Sequence, residues 1–394
     1  MPLTRREFTL AVGRGHRPLA VVAARGREAL AGGGVRRAAV TPAHDPIRLD
    51  SNENPVGPGP AAAAALADEL RDASRYPTNS LPNEKDLTAA VARVFSVAPE
   101  NVVMGAGSSE LLRNSVRAFC SPTRPFVTAM PSFELPQRFA ERIGAPVRAV
   151  PVDASLRLDV DRMAEAAKGA GLVFFCNPNN PTATVHTAAT VADFVKRVRA
   201  SSPDTYVLLD EAYHDYVTDP GYATGVPLAL ADDHVVVTRT FSKAHGMAGM
   251  RIGYAIGQPA PIKALARYRM AFNVNVLGLA ASVASLGDTA AIARERARNV
   301  EALAFTARAL TGLGCRGCTS QANFLFVDIG RPAKGFRESC ETQGVFVGRD
   351  FPPYEKTHAR ISIGTLEEMR AAVVVFGQAL GASPARAAQM QVRA

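Results

Sequence analysis

The sequence predicts an α/β protein with a mainly parallel sheet between helices, followed by a smaller α+β domain. Up to about residue 275 of the 394-residue chain, short apolar runs alternate with helical patterns. This alternation is typical of parallel sheets that helices cover on both faces. An Ala- and Arg-rich helical pattern at 290–310 then replaces it. The chain is 47% hydrophobic, which is enough to fill a substantial core.

Apolar runs bounded by turn-forming residues predict the strands. They fall at 101–105, 126–129, 172–176, 206–209, 235–238 and 252–256 in the larger domain, and at 323–329, 345–347 and 360–363 in the smaller one. Helices are predicted at 61–72, 290–310 and 366–380. The segment from residue 47 runs through DSNENP into a Pro/Gly-rich turn, which predicts an irregular arm.

The predicted organisation has five parts. They are a basic leader at 1–40, an arm at 41–60, a large domain at 61–275, a small domain at 276–382 and a loose tail at 383–394. No run of 18 uncharged apolar residues occurs, so no transmembrane helix is expected.

The net charge of +9 lies mostly in the leader. Eight arginines and two glutamates at 1–40 give +6, which leaves +3 for the rest, an ordinary balance for an enzyme that binds anions. The leader begins with Thr4, Arg5 and Arg6, which resembles a twin-arginine export signal, although Arg14 and Arg17 interrupt the apolar stretch that such a signal needs. We therefore expect a cytoplasmic protein, or a periplasmic one if the leader functions as a signal.

The cysteines do not predict a structural framework or a metal site. Five cysteines in a chain of this length are not typical of a disulfide scaffold. Cys315 and Cys318 form a CxxC pair without the second pair or the nearby histidines of a zinc site. Stability is expected to come from the core.

The run TRTFSKAHGMAGMRIGY carries the strongest chemical signal. Lys243 follows Thr240 and Ser242, and Arg251 comes eight residues later. Hydroxyls and a guanidinium suit a phosphate dianion, and an amine can form a Schiff base with an aldehyde. Pyridoxal 5'-phosphate (PLP) carries both a phosphate ester and an aldehyde, so the run predicts a PLP site.

Residues at the ends of predicted strands extend this hypothesis, because ligands of such sheets sit at the carboxyl ends of the strands. Gly107, Ser108 and Ser109 follow one strand and open a helix, whose N-terminus favours an anion. Asp210 ends the run YVLLD, where a carboxylate can pair with a pyridinium nitrogen. Tyr213 comes three residues later and can donate to the phenolic oxygen of the ring.

Two more segments after strands fit the same ligand. Asn180 lies in CNPNNPT, where two prolines fix a loop with its amides presented. Phe133 follows the run MPS and can stack on a planar ring.

These pieces occur in one order. From about residue 47 to 380 the chain resembles the fold-type I, class I/II PLP-dependent aminotransferases, and within them the histidinol-phosphate aminotransferase branch. The motifs are the NENP arm, Tyr76-Pro77, GxGSxE, NPNNPT, DEAY, SK with an arginine eight residues later, and RISIG. The resemblance implies the PLP-dependent transferase fold and a homodimer with shared active sites. It also implies ping-pong transfer of an amino group between an L-amino acid, or histidinol phosphate, and a 2-oxo acid.

The resemblance further implies cofactor contacts. Lys243 would form the Schiff base and move the Cα proton, Asp210 would hold the pyridine nitrogen, and Tyr213 would contact the 3'-oxygen with Asn180. The other residues expected at the cofactor are Gly107, Ser108, Ser109, Phe133, Ala212, Thr240, Ser242, Arg251 and, from the neighbouring subunit, Tyr76.

For the substrate, the resemblance implies that Arg360 pairs with the α-carboxylate and Arg349 with a distal phosphate. Asn54 and Asn180 are expected to contact the substrate as well. His245 stands where the family commonly has an aromatic residue, and it is either a substrate contact or a hydrogen-bonded structural residue.

Two other functions stay open at this point. The same scaffold serves PLP-dependent decarboxylases, lyases and oxidases, which share the first covalent step. An aminotransferase-like domain also occurs in PLP-sensing DNA-binding regulators, but residues 1–40 are short and Gly-rich for a winged-helix module.

Overall fold

The computed structural model describes residues 46–78 and 82–383. The predicted leader, the first residues of the arm and the tail from 384 lie outside the described residues. The strands are β1 Ile47–Leu49, β2 Val102–Ala106, β3 Phe126–Met130, β4 Val147–Pro151, β5 Leu172–Cys176, β6 Tyr206–Asp210, β7 Val235–Thr240, β8 Ile252–Gly257, β9 Phe324–Asp328, β10 Val345–Val347 and β11 His358–Ser362. The helices are α1 Pro60–Glu69, α2 Glu84–Phe95, α3 Ser108–Phe119, α4 Leu135–Arg142, α5 Val160–Ala166, α6 Ala188–Ser201, α7 Val226–Ala231, α8 Pro259–Ala266, α9 Val276–Gly287, α10 Thr289–Gly312, α11 Ala333–Glu341 and α12 Leu366–Ala379.

A seven-stranded sheet forms the centre of the protein, in the order β2-β8-β7-β6-β5-β3-β4. Strands β7, β6, β5, β3 and β4 are mutually parallel, whereas β8 runs antiparallel to both β2 and β7. The predicted α/β fold with a mainly parallel sheet is confirmed. The carboxyl ends of β5, β6 and β7 meet at one edge, so Cys176, Asp210 and Thr240 lie at the same end of the sheet.

Helices cover both faces of this sheet, so its central strands are apolar on both sides. Along β5, Val173 and Phe175 pack into one core while Leu172 and Phe174 pack into a second core on the opposite face. This follows from the two-residue period of a strand. Both phenylalanines are fully buried, and truncating either to alanine should cost roughly 3–5 kcal/mol of stability.

Helix α9 packs with the larger part of the protein, although the predicted domain boundary precedes it. It contacts α1 and α2, and Leu279 and Ala281 belong to the same core as Phe175. Asp288 separates α9 from α10 and caps α10 by accepting a hydrogen bond from the Ala291 amide. Among the described residues no single helix is long and apolar enough to cross a membrane. Together α9 and α10, which meet at 83°, meet the criteria of length and composition alone.

The C-terminal part contains two small sheets. In one, β9 pairs with β11 in antiparallel fashion, and in the other β1 pairs with β10 in parallel. Leu49, Phe336 and Phe376 lie in the core that these strands share with α10, α11 and α12.

Two strands differ from the sequence-based expectation. The prediction of an irregular arm is wrong at Ile47–Leu49, because β1 pairs with β10 and buries Leu49 completely. The edge strand β4 was not predicted, since only Val150 of VRAVP is buried and the run has no continuous apolar character.

Candidate active site

A cavity of about 660 Å³ opens at the carboxyl ends of the central strands. Its walls bring together most of the residues that the sequence singled out. Those that line it are Ser108, Ser109, Phe133, Asn180, Asp210, Ala212, Tyr213, Thr240, Ser242, Lys243, Arg251, Arg349 and Arg360.

One end of the cavity forms a cup of hydroxyls and amides around Arg251. The Thr240 hydroxyl donates to Ser242 Oγ at 2.9 Å, and Arg251 Nη1 donates to the same oxygen at 3.3 Å. Gly107 precedes α3 with a positive φ of 75°, and a Cβ at this position would collide with the Arg251 guanidinium. The backbone amides at the N-terminus of α3 and a guanidinium together suit a phosphate.

Lys243 lies in the turn between β7 and β8, and its amine points toward the arm. Nζ donates to the backbone carbonyls of Asn52 at 2.9 Å and Ser51 at 3.2 Å. Burial and the positive charge of Arg360 lower the pKa of Lys243 from 10.5 to about 8. At pH 7 about a tenth of this amine is therefore unprotonated and nucleophilic, far more than for a free lysine, and the unprotonated form is what Schiff-base chemistry requires.

Asp210 ends β6 and is almost completely buried. The Thr238 hydroxyl on the neighbouring strand β7 donates to Asp210 Oδ1 at 3.0 Å. Burial raises the pKa of Asp210 to about 7, while the Thr238 hydrogen bond opposes that shift. Burial without a cation disfavours the charged carboxylate, so a cation placed beside it, such as a protonated ring nitrogen, would be favoured.

The hydroxyl of Tyr213 accepts two side-chain hydrogen bonds. Asn52 Nδ2 donates to it at 3.1 Å and Asn180 Nδ2 at 3.4 Å. The ring packs edge-on against Phe324 with centroids 5.1 Å apart. Burial raises the pKa of Tyr213, so the hydroxyl keeps its proton and can donate to an oxygen in the cavity.

Arg360 on β11 lies at the other end of the cavity. Its Nη1 donates to Asn180 Oδ1 at 2.9 Å, and Nη2 donates to the Asp50 carbonyl. Its buried Nε has no hydrogen-bond partner in the part of the chain that the structure describes. Burial lowers the pKa of Arg360 to about 10, and the guanidinium stays charged at neutral pH. The guanidinium lines the cavity, so an anion that enters can pair with it.

Arg349 contacts the same end of the cavity from the loop after β10. Its Nη2 forms an ion pair with Glu134, and its guanidinium packs 4.2 Å from the ring centroid of Phe351. The guanidinium of Arg360 lies 4.8 Å from the same centroid. Two guanidinium groups thus share one aromatic ring.

Besides Gly107, which precedes α3 beside the cup, three of the residues singled out do not line this cavity. The Asn54 amide donates to the Ala244 carbonyl at 3.1 Å and holds the arm in place. Tyr76 is 67% exposed and packs on Phe272. His245 is buried and bonds through Nδ1 to the Ser285 hydroxyl at 2.7 Å, which agrees with the structural alternative.

Other residues at the site were not identified as site residues from the sequence. Asn52 and Cys176 line the cavity, as does Glu134. Thr238 touches Asp210 and had a usable signal, because it is a polar residue two positions before Thr240 in an otherwise valine-rich strand. Asn52 gave no comparable signal, since its partner Tyr213 is 161 residues away.

The donor set of the cavity fits PLP. The cup around Arg251 matches a phosphate ester, Asp210 matches a pyridinium nitrogen and Tyr213 matches a phenolic oxygen. Lys243 supplies the amine for the aldehyde. The Arg251 guanidinium fits in the cup only because Gly107 has no side chain. A Cβ at position 107 would collide with it.

Comparisons with known proteins agree with this arrangement. A family model described as aminotransferase class I and II matches residues 44–376. A histidinol-phosphate aminotransferase of Anaeromyxobacter sp. (strain Fw109-5) is 36% identical over 341 residues, which cover 85% of this chain and 91% of that protein. An aromatic amino acid aminotransferase of Thermobifida fusca (strain YX) is 36% identical over 340 residues, which cover 86% and 92%.

A solved structure extends the likeness to the fold. The crystal structure of histidinol-phosphate aminotransferase from Sinorhizobium meliloti in complex with pyridoxal-5'-phosphate superposes with a TM-score of 0.78 at 25% identity. The match covers 89% of this chain and 98% of that one.

Proposed function

Because this chain belongs to the class I and II aminotransferase family, we propose that it transfers the amino group of an anionic amine to a 2-oxo acid at the cavity around Lys243. PLP is the cofactor, and transamination is the reaction. The observation that carries the proposed site is the half-buried amine of Lys243, which lies in one cavity with Asp210 and the cup around Arg251.

The cofactor and the protein contribute different parts of the chemistry. When bound, PLP supplies an aldehyde that condenses with amines and a protonated ring that accepts an electron pair from Cα. Asp210 keeps the ring nitrogen protonated, and Tyr213 donates to the phenolic oxygen together with Asn180. The cup formed by Gly107, Ser108, Thr240, Ser242 and Arg251 binds the phosphate, with Ser109 next to Ser108 on α3 and with Phe133 and Ala212 at the ring.

Lys243 has two tasks in this proposal. It would bind the cofactor before the substrate arrives, and its released amine would then move the proton from the substrate Cα to the C4' carbon of the cofactor. The lowered pKa of the amine supports both tasks, because a base is most effective when its pKa lies near the working pH.

The anion of the substrate lies against Arg360, and this role is supported by a guanidinium that lines the cavity and donates to uncharged oxygens of Asn180 and Asp50. Two relatives that are each 36% identical to this chain carry the names histidinol-phosphate aminotransferase and aromatic amino acid aminotransferase. Histidinol phosphate and an aromatic amino acid differ in the anionic group next to Cα. The first carries a phosphate ester and the second a carboxylate. Arg349 is the additional cation for the phosphate ester.

We also propose a homodimer with shared sites. The rings of Tyr76 and Phe272 pack 4.9 Å apart while both are more than half exposed, and Met270 is 70% exposed nearby in sequence. An exposed apolar group of this kind is typical of a contact with a second copy. Sedimentation equilibrium of wild type and of Phe272→Glu tests it, because a dimer should weaken in the variant and a monomeric wild type would contradict the proposal.

The site itself is tested by trapping the covalent link. Protein reconstituted with PLP is reduced with borohydride, digested and analysed by mass spectrometry. The pyridoxyl group is expected on Lys243 and on no other lysine, and Lys263→Ala serves as the control because Lys263 is exposed on α8. A wild-type protein that binds PLP without labelling at Lys243 would overturn the assignment.

Single-turnover assays test the substrate class. Histidinol phosphate and phenylalanine are mixed separately with the PLP form of the enzyme, and conversion to the pyridoxamine form is followed by absorbance. A 2-oxo acid product from phenylalanine is expected, whereas release of carbon dioxide or hydrogen peroxide would identify a decarboxylase or an oxidase instead.

A further inference from the structure

Glu134 forms an ion pair that spans the substrate end of the cavity. It lies between Phe133 and the first residue of α4, while its partner Arg349 follows β10 in the C-terminal part of the chain. Both side chains line the cavity and remain partly exposed to it, with 29% and 47% of their side-chain surfaces accessible. The pair is therefore accessible to a ligand that enters.

The two arginines at this end have different partners. Arg349 faces the carboxylate of Glu134. Arg360 donates instead to two uncharged oxygens, the side-chain amide oxygen of Asn180 and the backbone carbonyl of Asp50. Both guanidinium groups pack on Phe351, within 4.2 and 4.8 Å of its centroid. One guanidinium is thus neutralised from within the protein and the other is left for a ligand.

The other charged groups at this end bond to partners of their own. Glu134 is therefore the carboxylate that pairs with Arg349. Arg337 is paired with Asp350, and Glu53 lies 3.8 Å from Arg48. Asp50 accepts a hydrogen bond from the Ser51 hydroxyl at 2.9 Å. Glu134 also lies 3.5 Å from Arg138, so it keeps a cationic neighbour if Arg349 is released.

We propose that Glu134 is a specificity-determining counter-ion, which stays on Arg349 when the substrate carries a carboxylate and gives Arg349 up when the substrate carries a phosphate ester. This inference rests on the proposed function of the site. A carboxylate has one negative charge and is satisfied by Arg360 alone. A phosphate ester dianion has two, and it is satisfied when Arg360 and Arg349 both bind it.

The exchange has a measurable consequence. A phosphate substrate must break the Glu134–Arg349 pair before it gains Arg349, whereas a carboxylate substrate leaves the pair intact. Glu134 therefore weakens phosphate binding and has little effect on carboxylate binding. In this way one site accepts both anions without leaving an unpaired cation beside the carboxylate.

The test compares Glu134→Gln with wild type in the PLP-loaded enzyme. We expect the KM for histidinol phosphate to fall by about two- to fivefold, the range that loss of a partly exposed ion pair allows. The KM for phenylalanine should change less than twofold, and kcat should be unchanged for both. Glu141→Gln is the matched control, because Glu141 lies on α4, the helix that Glu134 precedes, and bonds only to Gln137 among the side-chain contacts described.

A double-mutant cycle separates this role from a structural one. In an Arg349→Gln background, Glu134→Gln should no longer change the KM for histidinol phosphate, because the pair is already broken. An equal change for both substrates, or an unchanged ratio of their KM values, would overturn the inference. Unfolding midpoints of all variants confirm that the fold is retained.

Equilibrium binding measurements distinguish a failure of this inference from a failure of the proposed function. Methyl phosphate and acetate are titrated into the PLP-loaded protein by calorimetry, with wild type and Glu134→Gln compared. If wild type transaminates neither substrate, the proposed function fails. If the variant does not bind methyl phosphate more tightly relative to acetate, the counter-ion role of Glu134 fails.

Discussion

The side-chain amide of Asn52 donates a 3.1 Å hydrogen bond to the hydroxyl of Tyr213. The backbone carbonyl of the same residue accepts a 2.9 Å hydrogen bond from Lys243 Nζ. Asn52 has a φ of 53°, a left-handed conformation that asparagine tolerates better than most residues. The arm therefore forms one wall of the cavity, and its conformation is coupled to two of the proposed catalytic groups.

Replacing Asn52 by alanine should destabilise the protein and weaken its hold on PLP. The change removes the bond to Tyr213 and the acceptor of the Ser362 hydroxyl, and it places alanine in a left-handed conformation. We expect a loss of about 1–3 kcal/mol in the free energy of unfolding, measured by urea denaturation. Ser51→Ala is the control, because the Ser51 hydroxyl bonds only to Asp50 within the described contacts. Equal stability of the two variants would contradict this role of Asn52.

Asp210 should make the stability of the PLP-free protein depend on pH. Its pKa is about 7 in the folded state against 3.8 for the free side chain, so the folded state binds the proton more tightly between those values. The stability that Asp210 contributes is complete below about pH 4 and is lost as the pH rises through 7, by at most about 1.4 kcal/mol for each pH unit. Urea denaturation of Asp210→Asn across this range should show that part of the slope removed. A slope identical to wild type would contradict the raised pKa.

Gly107→Ala should lower the affinity for PLP without unfolding the protein. The added Cβ meets the guanidinium of Arg251, and alanine is strained at the φ of 75° that this turn requires. We expect at least a tenfold rise in the dissociation constant of PLP, measured by fluorescence titration, since Arg251 would be displaced from the phosphate cup. Gly335→Ala on α11 is the matched control, because a Cβ there meets no atom within 4 Å. That variant should bind PLP normally and be slightly more stable.

The parts of the site that were predictable from sequence are those that local pattern determines. Asp210 and Thr240 end apolar runs, and the carboxyl ends of neighbouring parallel strands meet at one edge of a sheet. The bond between Asn52 and Tyr213 was not predictable, because it depends on how the arm folds back over the sheet. The antiparallel direction of β8 was equally hidden, since an apolar run has the same pattern in either direction. The ion pair of Glu134 with Arg349 joins segments more than 200 residues apart, and each residue alone resembles an exposed charge.

The rate at which the PLP-free protein captures PLP should rise with pH and level off above about pH 8. Only the unprotonated amine attacks an aldehyde, and burial with the charge of Arg360 lowers the pKa of Lys243 to about 8. Below that pH the protonated fraction grows, so the rate should fall about tenfold for each pH unit well under the midpoint. Stopped-flow absorbance of PLP mixed with the protein measures this profile, with Lys243→Ala as the variant that shows no capture and N-acetyl-lysine amide as the unperturbed amine. A midpoint near the value of the free amine would show that the cavity leaves Lys243 unperturbed, and the base role proposed for it would then lack its physical support.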